Sequence, residues 1–155
     1  LPDAVRALAE EKPVCLRNPQ STRPWQHVLD ATHGYLQLAM KLEKNPELFA
    51  GPWNFGPADP DSATVQEVIE IFLKFWGKGE WRQAENPNGK RMAETSNLVL
   101  NCEKAETKLG WSPIWNRQRA IEETAKWYRR YYQNPAGAYD YCISQLQQFM
   151  KEIKR

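Results

Sequence analysis

Apolar positions recur at helical spacing in Ala4, Val5, Leu8 and Ala9 behind a proline at position 2, which predicts a short helix over residues 2–10. The run from Lys12 to Arg17 reads as a strand. Trp25 to Val28 reads as another, across the polar connection Asn18 to Thr22. Asp30 is placed to cap a helix reaching Lys44, with Ala31, Tyr35, Leu38, Ala39 and Leu42 as its apolar stripe. Pro46 and the pair Gly51-Pro52 close that unit, and Trp53 to Gly56 is a short strand before a loop rich in Pro and Asp. Thr64 and Glu67 form a capping box ahead of Val65, Val68, Ile69, Phe72, Leu73 and Trp76, and Gly77 suits the left-handed end of that helix. Glu80 to Gln83 and Asn97 to Leu100 are further strands. Asn101 caps a short helix ending at Gly110, and Asn116 caps a longer one to about Gln133. A last amphipathic helix carries Tyr139, Cys142, Ile143, Leu146, Phe149, Met150 and Ile153.

Strands alternate with helices, so the fold class is α/β: a small mixed sheet with about six helices. One domain is expected over residues 1–155, with residues 133–155 as a C-terminal helical extension. So few and such short strands make a poor independent sheet, which suggests that part of the sheet is missing.

Seven tryptophans in 155 residues stand out from an otherwise ordinary composition. Trp joins a large apolar area to one polar atom and suits cores, interfaces and ligand walls alike. A net charge of +2 from 21 basic and 19 acidic residues gives no basic face for nucleic acid. Cys15, Cys102 and Cys142 lie far apart, against a disulfide framework and against a zinc site. The sequence shows no signal peptide and no long apolar run, so neither secretion nor a membrane span is expected, and the cytoplasm is the expected location. Because the chain opens on Leu1, directly in a helical pattern, it reads as a trimmed chain or a piece of something longer.

No complete active site is legible. The sequence has no G-x-G-x-x-G, no P-loop, no H-E-x-x-H, no C-x-x-C, no G-x-S-x-G, and no Tyr followed four residues on by Lys. His27, placed in a strand beside Trp25, reads as a hydrogen-bonded structural histidine. Arg23, at a strand mouth beside Trp25, is a candidate phosphate clamp, because a guanidinium offers several donors to an anion. A surface arginine laid over Trp25 accounts for the same pattern. Glu94, in a turn before Leu98, is equally open between a ligand contact and a solvated carboxylate.

At these residues the sequence resembles a family. LRNPQSTRPWQHVLDATHGYLQLA (Leu16–Ala39) is very similar to a segment of the CDP-glucose 4,6-dehydratases, members of the extended short-chain dehydrogenase/reductase superfamily. WNFGP from Trp53, the helix from Thr64, the stretch Trp76 to Trp81, ETSNLVLNCEKAETKLGWSPIW from Glu94 and AIEETAKWY from Ala120 follow in the family's order. The resemblance implies the C-terminal, substrate-side half of such a fold, with the Rossmann domain absent. The parent reaction is an NAD-dependent lyase step that turns CDP-glucose into the 4-keto-6-deoxy sugar nucleotide, a precursor of surface polysaccharide. Arg23 matches an arginine on the substrate diphosphate. Glu94 matches a substrate-side glutamate, and Leu1 and Pro2 match a segment lining the nucleotide base. Two departures stand out: Ala93 replaces a histidine, and Asn101 replaces an aspartate that would cap equally well.

Two functions follow. As a fragment of such an enzyme the chain carries no cofactor site and no catalytic residue of its own, so it is expected to be inert alone and to bind CDP or a CDP-sugar weakly if at all. As a stand-alone truncated module it would act by self-association or with a separate partner. In either case a homodimer or higher oligomer is expected, with no nucleic acid and no membrane as partner. The stripes of residues 2–10, 31–42 and 65–76 and the edge of the strand at Trp53 are the expected contacts, unless the helix 138–154 folds back as a lid.

Overall fold

The computed structural model describes residues 1–57, 63–85 and 98–153. Six α-helices lie among them: α1 (Pro2–Ala9), α2 (Val28–Lys44), α3 (Pro46–Phe49), α4 (Val65–Trp76), α5 (Arg117–Gln133) and α6 (Ala138–Ile153). A π-helical turn runs from Ala105 to Leu109. The strands are β1 (Val14–Leu16), β2 (Thr22–Arg23), β3 (Ala63–Thr64) and β4 (Trp81–Gln83). They do not form one mixed sheet. β1 pairs parallel with β4, and β2 pairs antiparallel with β3, as two separate ladders.

Helix α4 is the clearest case of sequence dictating structure. Thr64 Oγ1 accepts from the Glu67 amide, and the Glu67 carboxylate accepts from the Thr64 amide, so the expected capping box is present. Gly77 ends the helix at φ 95°. Val68, Ile69, Phe72 and Trp76 are buried on its inner face, each contributing about 1.5–3 kcal/mol when fully withdrawn from water. They meet Ala4, Val5 and Leu8 of α1, Val14 and Leu16 of β1, and Ile121 and Ala125 of α5 in the larger core. The stripes of residues 2–10 and 65–76 are therefore covered within the chain and are not free to make an interface. A second core joins Phe49, Phe55, Ala105, Leu109 and Trp111.

Three strand expectations fail. Trp25 to Val28 is irregular chain and then the first turn of α2. Its alternation reflects two side chains bonding across loops: Trp25 Nε1 donates to Ala63 O at 3.1 Å, and Gln26 Nε2 to Phe55 O at 3.0 Å. Trp53 to Gly56 forms no ladder with any strand among the described residues. Leu98 to Leu100 is likewise outside any strand, while Asn97 lies outside the described residues. The cap of α2 is His27 and not Asp30, which sits inside the first turn. The cap at Asn116 is as expected, accepting from Arg119 N at 2.9 Å, whereas the turn ending at Gly110 has Lys104 at its cap position without a side-chain bond, and Asn101 accepts from Glu103 N at 2.9 Å just ahead of it.

Gly34 lets α2 pass close to the second core. A Cβ there would stand 2.4 Å from Cδ1 of Phe55, a ring packed edge-on against Trp111. Gly34→Ala is expected to cost about 1–3 kcal/mol through overpacking, read as a lower urea midpoint with an unchanged slope.

Candidate substrate-binding site

The segment carrying Arg23 is sewn to the start of α4. Val65 N donates to Ser21 O at 2.9 Å and Gln66 N to Pro19 O at 3.0 Å, while Glu67 N is taken by Thr64. The first amides of α4, a natural anion cradle in other settings, are thus taken by two backbone carbonyls and the Thr64 hydroxyl. They position the 19–23 segment and offer nothing to a phosphate.

Arg23 itself is half-buried in β2, opposite Ala63, and its Nη1 donates to Thr22 O at 2.7 Å. Leu1 is half-buried against the larger core, where Trp25 also packs. Pro2 is exposed in the first turn of α1. Glu94 and Ala93 lie outside the described residues. Leu1 and Arg23 therefore belong to segments resting on one core.

Beside this segment lies a buried polar centre that the sequence reading did not assign. Asp30 has no exposed surface. Its Oδ1 accepts from Ile114 N at 2.6 Å, tying α2 to the loop before α5, and Oδ2 has no protein partner among the described residues. Burial raises the Asp30 pKa. Backbone N–H groups of Ile114 and Trp115 pull it down, and Glu152 pushes it up. His27 is 4% exposed and packs edge-on against Trp115, with ring centroids 4.7 Å apart. Burial lowers its pKa from 6.5 to about 4, with the Glu123 carboxylate opposing. His27 is therefore neutral near pH 7, in keeping with a structural histidine. A polar residue at the helix start was the available signal for the cap. Nothing local marks Asp30, because its partners are 84 positions away.

Helix α6 closes over this centre. Phe149, 2% exposed, packs edge-on against Trp115 and His33, and Gln145 Nε2 donates to the buried Glu123 carboxylate at 3.1 Å. Among the described residues no three His, Cys, Asp or Glu side chains converge to hold a metal, and no helix is long and apolar enough to cross a membrane.

Removing the Asp30 carboxylate leaves backbone donors buried without a partner. Asp30→Ala is expected to destabilise the chain by about 1–3 kcal/mol. Asp30→Asn, which keeps an acceptor oxygen, should cost less. Equilibrium denaturation of the two variants checks the order.

No family model matches the chain. It is similar to a CDP-glucose 4,6-dehydratase of Salmonella typhimurium (strain LT2), with 35% identity over 129 residues, 83% of this chain and 35% of that protein. Its fold is like that of UDP-glucuronic acid 4-epimerase from Bacillus cereus, solved with a fluorinated UDP-glucuronic acid and NAD. That match has a TM-score of 0.64 and 21% identity, and covers 83% of this chain and 38% of the epimerase. UDP-N-acetylglucosamine 4-epimerase from Bacillus cereus matches with a TM-score of 0.60 and 25% identity, over 81% of this chain and 41% of its own. By sequence the chain is similar to a CDP-glucose 4,6-dehydratase and by fold to part of the extended short-chain dehydrogenase/reductase epimerases, and it spans 35–41% of the length of the proteins it matches.

Proposed function

We propose that this chain is the substrate-side portion of a CDP-glucose 4,6-dehydratase-type enzyme, holding the nucleotide diphosphate while another portion carries NAD and the catalytic groups. The carrying observation is the 35% identity to the Salmonella enzyme over 129 residues. The held 19–23 segment supports a role for Arg23 on the diphosphate, and the resemblance puts Leu1 and Pro2 beside the base and Glu94 on the sugar side. The residues of this chain do not fit NAD: the sequence has no glycine-rich loop, and the amides opening α4 are occupied. No hydride step is therefore assigned to them. In this reading the 155 residues alone neither bind NAD nor dehydrate CDP-glucose.

A second reading, a stand-alone assembly module, draws support from α2. Val28, Tyr35, Leu36 and Met40 are all more than half exposed, as is Leu48 of α3. Monomers rarely leave so many large apolar side chains on one helix uncovered. In this reading a second copy covers them, in two-fold association.

Calorimetry with CDP tests the first reading. Weak binding is expected, and Arg23→Ala should reduce it roughly ten- to a hundredfold, the loss of one charge-assisted contact. Equal affinity for both proteins removes Arg23 from the site. Light scattering after size exclusion tests the second reading. Self-association that Leu36→Glu abolishes is expected, and a monodisperse 18.1 kDa species at all concentrations excludes it.

A further inference from the structure

His27 caps α2 through its ring. Nδ1 accepts from Leu29 N at 3.2 Å, so Nδ1 holds a lone pair and the neutral ring carries its proton on Nε2. A second proton has one place to go, Nδ1, where it would meet the Leu29 N–H donor to donor. Protonation and capping are mutually exclusive in this geometry.

The ring also anchors a chain of contacts that ends on α6. His27 packs edge-on to Trp115, and Trp115 packs edge-on to Phe149 with centroids 5.1 Å apart. Trp115 Nε1 donates to Glu152 Oε2 at 3.0 Å. The latch thus joins the cap of α2 to the last two turns of α6. Beside it an open cavity of about 450 Å³ is lined by Ile114, Gln148, Lys151 and Glu152.

The surroundings offer an imidazolium little. From α5, Glu123 is the carboxylate whose field reaches the ring, but it is already matched by Arg119 at 3.1 Å and Lys126 at 3.6 Å, and by Gln145 from α6. Arg119 also lies over the Trp115 ring at 5.7 Å. Within α2, the Asp30 carboxylate is directed to Ile114 N, and from α6 Glu152 is held by Trp115. His33 packs against Phe149 and pairs with Gln37 at 2.9 Å.

We propose that the His27–Trp115–Phe149 stack is a proton-operated latch, in which protonation of His27 at Nδ1 uncaps α2 and releases α6 from the body of the protein. The direction follows from burial, which holds His27 down from 6.5 to about 4 in the closed arrangement. The closed form is fully favoured above pH 6.5 and loses ground as pH falls from 6.5 towards 4. That interval corresponds to at most about 300-fold in the ratio of open to closed. Asp30 acts in the opposite sense, because burial raises its carboxyl and its neutral form suits the closed state. His33, lowered by burial, has the same sign as His27 and has to be separated from it.

The two histidines are the only ones in the chain, so His33→Gln isolates His27. Hydrogen exchange of residues 145–153, corrected for the intrinsic pH dependence, is followed from pH 7 to 4.5 in the full 155-residue chain. In the His33→Gln background, protection should fall by up to about 60-fold over this range. With His27→Asn added it should stay level, since asparagine caps without titrating. An equal loss of protection in both proteins overturns the latch. Should the double variant fail to fold at pH 7, NMR titration of the His27 ring in the wild-type chain decides. A ring that stays neutral well below 6.5 and charges as α6 protection is lost supports the latch. A ring titrating near 6.5 with α6 still protected overturns it.

Discussion

Val68 and Phe72 of α4, with no exposed surface, are the point on which α1, β1 and α5 converge. The fold needs such a helix because its strands cannot carry it. Two ladders of two or three residue pairs supply few hydrogen bonds and no sheet face, and two-stranded pieces are marginal in water. Burial on α4 supplies the cohesion. The ladders are consequences of it: β3 leads directly into the helix, and the 19–23 segment is fastened to its first amides. The candidate substrate residue Arg23 thereby inherits the rigidity of the core, although it sits on a strand of two residues.

A different physics governs the seam between α2, the loop at Ile114 and α6. There the chain has buried a carboxylate, an imidazole and a glutamate that water would otherwise solvate. Each is tolerated because specific donors or acceptors meet it: Ile114 N at Asp30, Leu29 N at His27, Arg119 and Gln145 at Glu123. Such a seam adds little net stability but permits few alternative arrangements. It also makes this side of the molecule sensitive to protonation, which the apolar core around α4 is not.

How much was legible in the sequence follows from the range of the interactions. The capping box at Thr64, the cap at Asn116 and the start of α1 at Pro2 depend on neighbours within four residues, and all were readable. The fold class followed from the alternation of elements. The strand expected at Trp25 failed because its pattern records bonds to Ala63 and Phe55, 38 and 29 positions away. Asp30 was assigned a local capping role that it gives up for a distant amide. Of the candidate site, Arg23 was legible as an arginine at a strand mouth beside Trp25, but the pattern left it open between a phosphate contact and a surface arginine, and the resemblance favoured the first. The cover over residues 2–10 and 65–76 could not be foreseen, because it depends on α5 returning across α4.

The parallel pairing of β1 with β4 has a consequence for how the chain reaches this state. Cys15 and Arg82, opposite each other in that ladder, are 67 positions apart. Bringing them together means closing a loop that contains α2, α3 and α4, at an entropic cost that three residue pairs repay poorly. The ladder is therefore the natural last step of folding, formed once α1 and α4 have already docked and shortened the effective loop. Until then β1 and β4 present unpaired backbone, and the concentration at which the protein is refolded or synthesised decides whether those edges meet each other or a neighbour's.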